Sequence, residues 1–139
     1  MALSLEIVTP DGIVWHNNNI DSVVLPAKNG EIEILAGHVP LITILEAGAV
    51  GVKTSGKEEN IAIDNGYARI MGDVVSVLTE SAINVESLNI SDIEKAKEDA
   101  LNAVEEGKKN KISEEELERL QSVARFTIAQ MLAKAKKKS

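Results

Sequence analysis

The sequence predicts an α+β chain, mainly β, with a β-rich front part over residues 1–88 and a two-helix tail over residues 89–139. Three observations predict it. Apolar residues alternate with period two up to about residue 85, helical spacing replaces that alternation at Asn89, and the charge balance changes at the same place. Residues 1–88 carry 12 acids and four bases, a net of −8, whereas residues 89–139 carry ten acids and 11 bases, a net of +1.

The first strand is written in Leu3, Leu5 and Ile7, which alternate with Ser4, Glu6 and Val8 before Pro10-Asp11-Gly12 supplies a turn. Ile13-Val14-Trp15 begins a second run. Further strands are predicted over residues 22–25, 31–34, 41–45, 49–54, 59–63, 68–71 and 74–78. Asn29-Gly30, Ser55-Gly56, Asn65-Gly66 and Gly72-Asp73 punctuate them as turns in which glycine admits a positive φ. Many short strands at even spacing read as an antiparallel sandwich or barrel. Its core must be aliphatic, because hydrophobic residues make up 44% of the chain and aromatic residues only 2%.

From Asn89 onward the signals are helical. Ser91 to Glu94 fits a capping box, and Ile93, Ala96, Ala100, Ala103 and Val104 then recur on one face. Gly107 is predicted to stop this helix, with a polar turn over residues 108–111. Ser113 and Glu116 form a second capping box, with Ile112 and Leu117 placed as a staple. The stripe continues through Leu117, Leu120, Ala124, Ile128, Met131, Leu132 and Ala135. The two stripes pair as an antiparallel hairpin. The first is rich in alanine and therefore thin, so the hairpin is expected to rest on the sandwich or on a partner and to be able to leave it.

The residues offer little to an enzyme. A net charge of −7 argues against a general nucleic-acid surface, and the absence of cysteine excludes disulfides and thiolate metal sites. His16 and His38 lie in unrelated segments without metal-ligand spacing, so no metal is expected. Glu31 and Glu33 share one side of a strand as a hydrolase pair would, but a solvated strand face explains them better. Neither a signal-peptide pattern nor an apolar run of about 18 residues is present, so direct membrane insertion is not expected. The lysines near residue 139 read equally as a solvated helix end or as a docking patch for an acidic partner.

The segment NGEIEILAGHVPL, residues 29–41, resembles the GE-x-GIL-x-x-HAPL signature of the epsilon subunit of rotary F-type ATP synthases. EIVTPDGIVW, the stretch over residues 65–70, residues 74–80 and SDIEKAKEDA are similar to successive parts of that family, in order and over nearly the whole chain. The resemblance implies a ten-stranded flattened β-sandwich followed by a helical hairpin. It implies a non-catalytic central-stalk subunit that binds the gamma subunit and the c-ring and couples proton or sodium flow to ATP synthesis. Such a subunit is peripheral, on the cytoplasmic face of a bacterial membrane. Glu31, Gly37, His38 and Pro40 would form the loop facing the c-ring. In the extended tail, Arg119, Arg125, Lys134, Lys136, Lys137 and Lys138 would meet the catalytic beta and alpha subunits and inhibit ATP hydrolysis.

Some members bind ATP in the folded hairpin through an (I/L)DxxRA motif. Here Asp92 and Ala96 fit that motif, Ser91 takes its first place and Lys95 replaces the arginine. On the second helix Arg125 matches, while Gln121 stands where another arginine is usual. Lysine lacks the planar fork with which guanidinium grips phosphate, so Asp92, Lys95, Ala96 and Arg125 make at best a weak ATP site, and no other cofactor is implied. If the resemblance were fortuitous, the same residues would suit a free-standing sandwich module with a dimerising hairpin.

Overall fold

The computed structural model describes residues 2–37 and 40–137, and of Lys137 only its place in the last helix. Ten strands precede two helices. The strands are β1 (Leu3–Thr9), β2 (Gly12–Ile20), β3 (Ser22–Ala27), β4 (Gly30–Leu35), β5 (Leu41–Leu45), β6 (Gly48–Thr54), β7 (Lys57–Ile63), β8 (Gly66–Met71), β9 (Val74–Thr79) and β10 (Ala82–Asn84). A short 3-10 turn, Val85–Ser87, leads to α1 (Ile90–Lys109) and α2 (Glu114–Lys137).

Hydrogen-bonded neighbours run β10-β7-β6-β3-β5-β8-β9-β1-β2, with β4 added on β3. Only Ala27↔Leu45 joins β3 to β5, and there the ladder folds over into two layers. One layer supplies Val23, Leu25, Ile34, Val50, Val52, Ile61 and Ile63 to the core. The other supplies Leu3, Leu5, Ile7, Leu45, Ala68, Ile70, Val75 and Val77. The period-two alternation therefore becomes one aliphatic interior, as the low aromatic content requires.

Several local expectations are corrected. Pairing is antiparallel throughout except between β1 and β9, which run parallel because β1 is inserted between β2 and the late strand β9. Ser55 and Gly56 both have positive φ, 49° and 81°, as a two-residue hairpin between Thr54 and Lys57 demands. Gly66 is different. It opens β8 without a positive φ, and a β-carbon there would stand 1.9 Å from the Leu78 carbonyl oxygen, so it is needed for close approach rather than for a turn.

In the tail, Asn89 rather than Ser91 caps α1: its side-chain oxygen accepts from the Ser91 amide at 2.9 Å. Gly107 does not stop α1, which runs on to Lys109. Its bare face receives Ile112, whose Cδ1 would lie 2.7 Å from a β-carbon, and that fit brings the two helices together. The second cap is as expected, with the Glu116 amide donating to Ser113 Oγ at 3.2 Å.

α2 lies over the outer face of β6 and β7, and α1 packs on α2. Ala129 and Ala133 are buried against Ala49, Ala62 and Val85, with Phe126, Ile83 and Leu88 at the margin. Small residues on both sides let helix and sheet approach closely. The hairpin is thus folded down on the sandwich.

Candidate tail-docking site and partner-binding face

The docking site is held by three cations of α2. The first is Arg125, whose Nε donates to Asp64 Oδ1 at 2.7 Å. Asp64 follows β7, and its side chain is only 3% exposed. Its carboxylate also accepts from the Asn65 amide at 2.7 Å and from Ser122 Oγ at 3.0 Å, while Arg125 Nη2 reaches Ser122 Oγ at 3.2 Å. Burial alone pushes the Asp64 carboxyl up. The hydrogen bonds from Arg125, Asn65 and Ser122, with the Arg125 charge, outweigh burial and hold it below the ordinary carboxylate value. Thr79 fixes this corner by donating to the Asp64 and Asn65 carbonyls at 2.9 and 3.1 Å.

The second cation is Lys134, whose Nζ donates to the carbonyls of Val85 and Glu86 at 3.1 and 3.2 Å. The third is Lys136, which pairs with Glu31. Three side chains expected to serve the extended tail are therefore engaged by the sandwich when the tail is down. Arg119 is exposed and has no hydrogen-bond or ion-pair partner among the described residues. The Lys137 side chain and Lys138 lie outside the described residues.

The expected c-ring loop is split. Glu31 is a strand residue beside the β3–β4 turn, opposite Pro26, whereas Gly37 follows the far end of β4. Six extended residues, about 20 Å, separate them. Gly37 donates its amide to Asp73 Oδ1 at 2.9 Å, and Pro40 is exposed before β5. His38 lies outside the described residues. Glu33 is exposed and pairs with Lys53 at 3.4 Å, so Glu31 and Glu33 each face a lysine across a solvated surface. Among the described residues no cluster of His, Asp and Glu is arranged to hold a metal, and His16 is exposed on β2.

The residues matched to the ATP motif lie on both helices. Arg125 and Gln121 line a cleft of about 290 Å³ with Leu101, Val104, Ala124 and Ile128. Asp92, Lys95 and Ala96 are exposed near the start of α1 and do not line that cleft.

A second surface lies on the opposite layer. Ile42 and Ile44 of β5 are 71% and 60% exposed, beside Tyr67, Met71 and Val74, also exposed. The register lines up Ile44, Tyr67 and Leu78 across three strands, and sets Met71 against Val74. Arg69 and Ser76 stand opposite Ile42 in the same register, so this exposed face is largely apolar with a polar row across it. The sequence put all of these but Tyr67 in predicted strands and could not assign their outward alternation to a partner. Asp64 was missed altogether, because a single acid after a strand carries no signal until α2 is laid against it.

The class of protein is a β-sandwich that carries a helical hairpin on one layer, held by ion pairs, and exposed apolar residues on the other. The profile of the ATP synthase Delta/Epsilon chain, beta-sandwich domain, matches residues 2–85, and the chain belongs to that family as a non-catalytic accessory chain. It is 37% identical over 95 residues to the ATP synthase epsilon chain of Staphylococcus aureus strain JH9, covering 68% of this chain and 69% of that one. The epsilon chain of strain Newman matches equally. The fold is similar to a chain in the Euglena gracilis mitochondrial ATP synthase, solved as OSCP/F1/c-ring, with a TM-score of 0.71 at 20% identity over 92% of this chain and 78% of that one. A chain of the Tetrahymena thermophila mitochondrial ATP synthase central stalk and c-ring gives a TM-score of 0.53 at 6% identity, over 63% and 69% of the two chains. No helix among the described residues is long and apolar enough to cross a membrane.

Proposed function

We propose that this chain is the epsilon subunit of an ATP synthase central stalk, and that its tail is a movable brake on ATP hydrolysis. The sandwich is the rotor-bound part. Its apolar face on β5, β8 and β9 suits the gamma subunit, because burying Ile42, Ile44 and Tyr67 removes surface that this chain leaves in water. The loop containing Gly37, His38 and Pro40 is assigned to the c-ring, at the other end of β4 from Glu31. On this reading the chain sits peripherally on the cytoplasmic side and couples ion flow to synthesis without chemistry of its own.

The observation that carries the brake is the occupation of Arg125, Lys134 and Lys136 by the sandwich. Cations held by Asp64, by two backbone carbonyls and by Glu31 are sequestered when the tail is down and are presented together when it lifts. An acidic surface on the beta subunit is the partner they suit. Deleting residues 89–139 in the assembled synthase is expected to raise ATP hydrolysis. An unchanged rate at low ATP would remove the brake from this account.

A further inference from the structure

The face under α2 is built of small apolar groups, with Ala49 and Ala62 in the sheet and Ala129 and Ala133 above them. Asn60 breaks that chemistry. Ile61 and Ile63 point into the sandwich core, so Asn60 shares the outward face of β7 with Ala62. It is paired in register with Gly51, and its Oδ1 lies 3.5 Å from where a Gly51 β-carbon would stand, on the same outward face. Asn60 is 1% exposed, and among the described residues neither its Oδ1 nor its Nδ2 has a hydrogen-bond partner. A buried amide without partners is disfavoured against the same amide in water.

We propose that Asn60 is a release device for the tail. With α2 lifted, the outward face of β7 is open and the amide is hydrated; with α2 docked, the amide is buried and gains no partner among the described residues. Docking is therefore weaker than the alanine surface alone would make it, and the Asp64 and Lys134 contacts hold the tail against that bias. The inference rests on the reading of the tail as movable, but it concerns the docking equilibrium and not what the released tail meets.

The test is amide hydrogen exchange on the isolated full-length chain, comparing the native protein with Asn60→Leu, close in size to Asn, and Asn60→Val, smaller and suited to a strand. Removing the unpaired amide is expected to slow exchange across α2 by about tenfold. Amides of β1 and β9, far from the dock, serve as the internal control. Unchanged or faster α2 exchange with β1 and β9 still protected would overturn the proposal. So would loss of β1 and β9 protection in both variants, which would assign Asn60 to the sandwich itself. No hydrolysis assay enters, so failure here is separate from failure of the brake.

Discussion

At the residue scale the docked tail turns on Asp64. Its carboxylate is buried, it receives three hydrogen bonds, and one donor carries a charge. Removing that charge is expected to cost about 1–2 kcal/mol of docking, the low end for bonds to charged groups, because the guanidinium is 41% exposed and partly screened. The pH dependence follows from the lowered pKa of the folded state. A depressed carboxyl contributes stability that is fully present above its ordinary value of about 3.8, and that is lost as pH falls through the lowered value. Exchange in α2, corrected for intrinsic rates, should be flat from pH 8 to about 5 and should rise only below about 4. Asp64→Asn should raise it at neutral pH and flatten the acid rise. Acid loosening that is identical in wild type and Asp64→Asn would assign it to other carboxylates. None of this was legible in the sequence, where Asp64 looked like one more loop acid beside Asn65-Gly66.

The element scale shows what a period can and cannot reveal. Strong alternation placed nine of the ten strands, and helical spacing placed both helices. Residue-level reading missed β10, because Ala82–Asn84 is three residues long and has no room to alternate. It marked where β2 begins, at Ile13-Val14-Trp15, but not where it ends, since Asn17, Asn18 and Asn19 disfavour strand locally. Pairing with β1, through an irregular register, carries β2 on to Ile20. Gly66 and Gly107 were misread for a common reason: glycine signals either a special φ or a close neighbour, and a sequence does not distinguish them.

The thin α1 stripe has a consequence at this scale. α1 buries Ile93, Val104 and Gly107 and packs on α2 rather than on the sheet, so it is the outermost layer. Amide exchange should therefore be slowest in the sandwich core, faster in α2 and fastest in α1. Equal protection in the sandwich and across residues 91–135 would mean that the hairpin never leaves separately.

The whole molecule presents two faces with different chemistry. One is largely apolar, on β5, β8 and β9; the other is the dock of alanines, Asn60 and ion pairs. The ordered similarity to the epsilon family was legible over nearly the whole chain, from Glu6 onward. The geometry separated what the motif had grouped, because residues adjacent in a signature stand at opposite ends of β4. Changing the apolar face should spare the fold. Ile42→Lys is expected to alter the stability of the isolated chain by no more than about 0.5 kcal/mol, since the site is already in water. It should weaken co-purification with the gamma subunit by tenfold or more, a loss typical of a central interface residue. Undiminished recovery with gamma would place that contact elsewhere.

The central claim is that the sandwich holds the inhibitory cations of the tail and that their release applies the brake. ATP hydrolysis by the assembled synthase carrying Asp64→Asn tests it most directly. The substitution frees Arg125 while leaving every tail residue in place, so hydrolysis should fall below the wild-type rate. A rate equal to wild type, or above it, would contradict the claim.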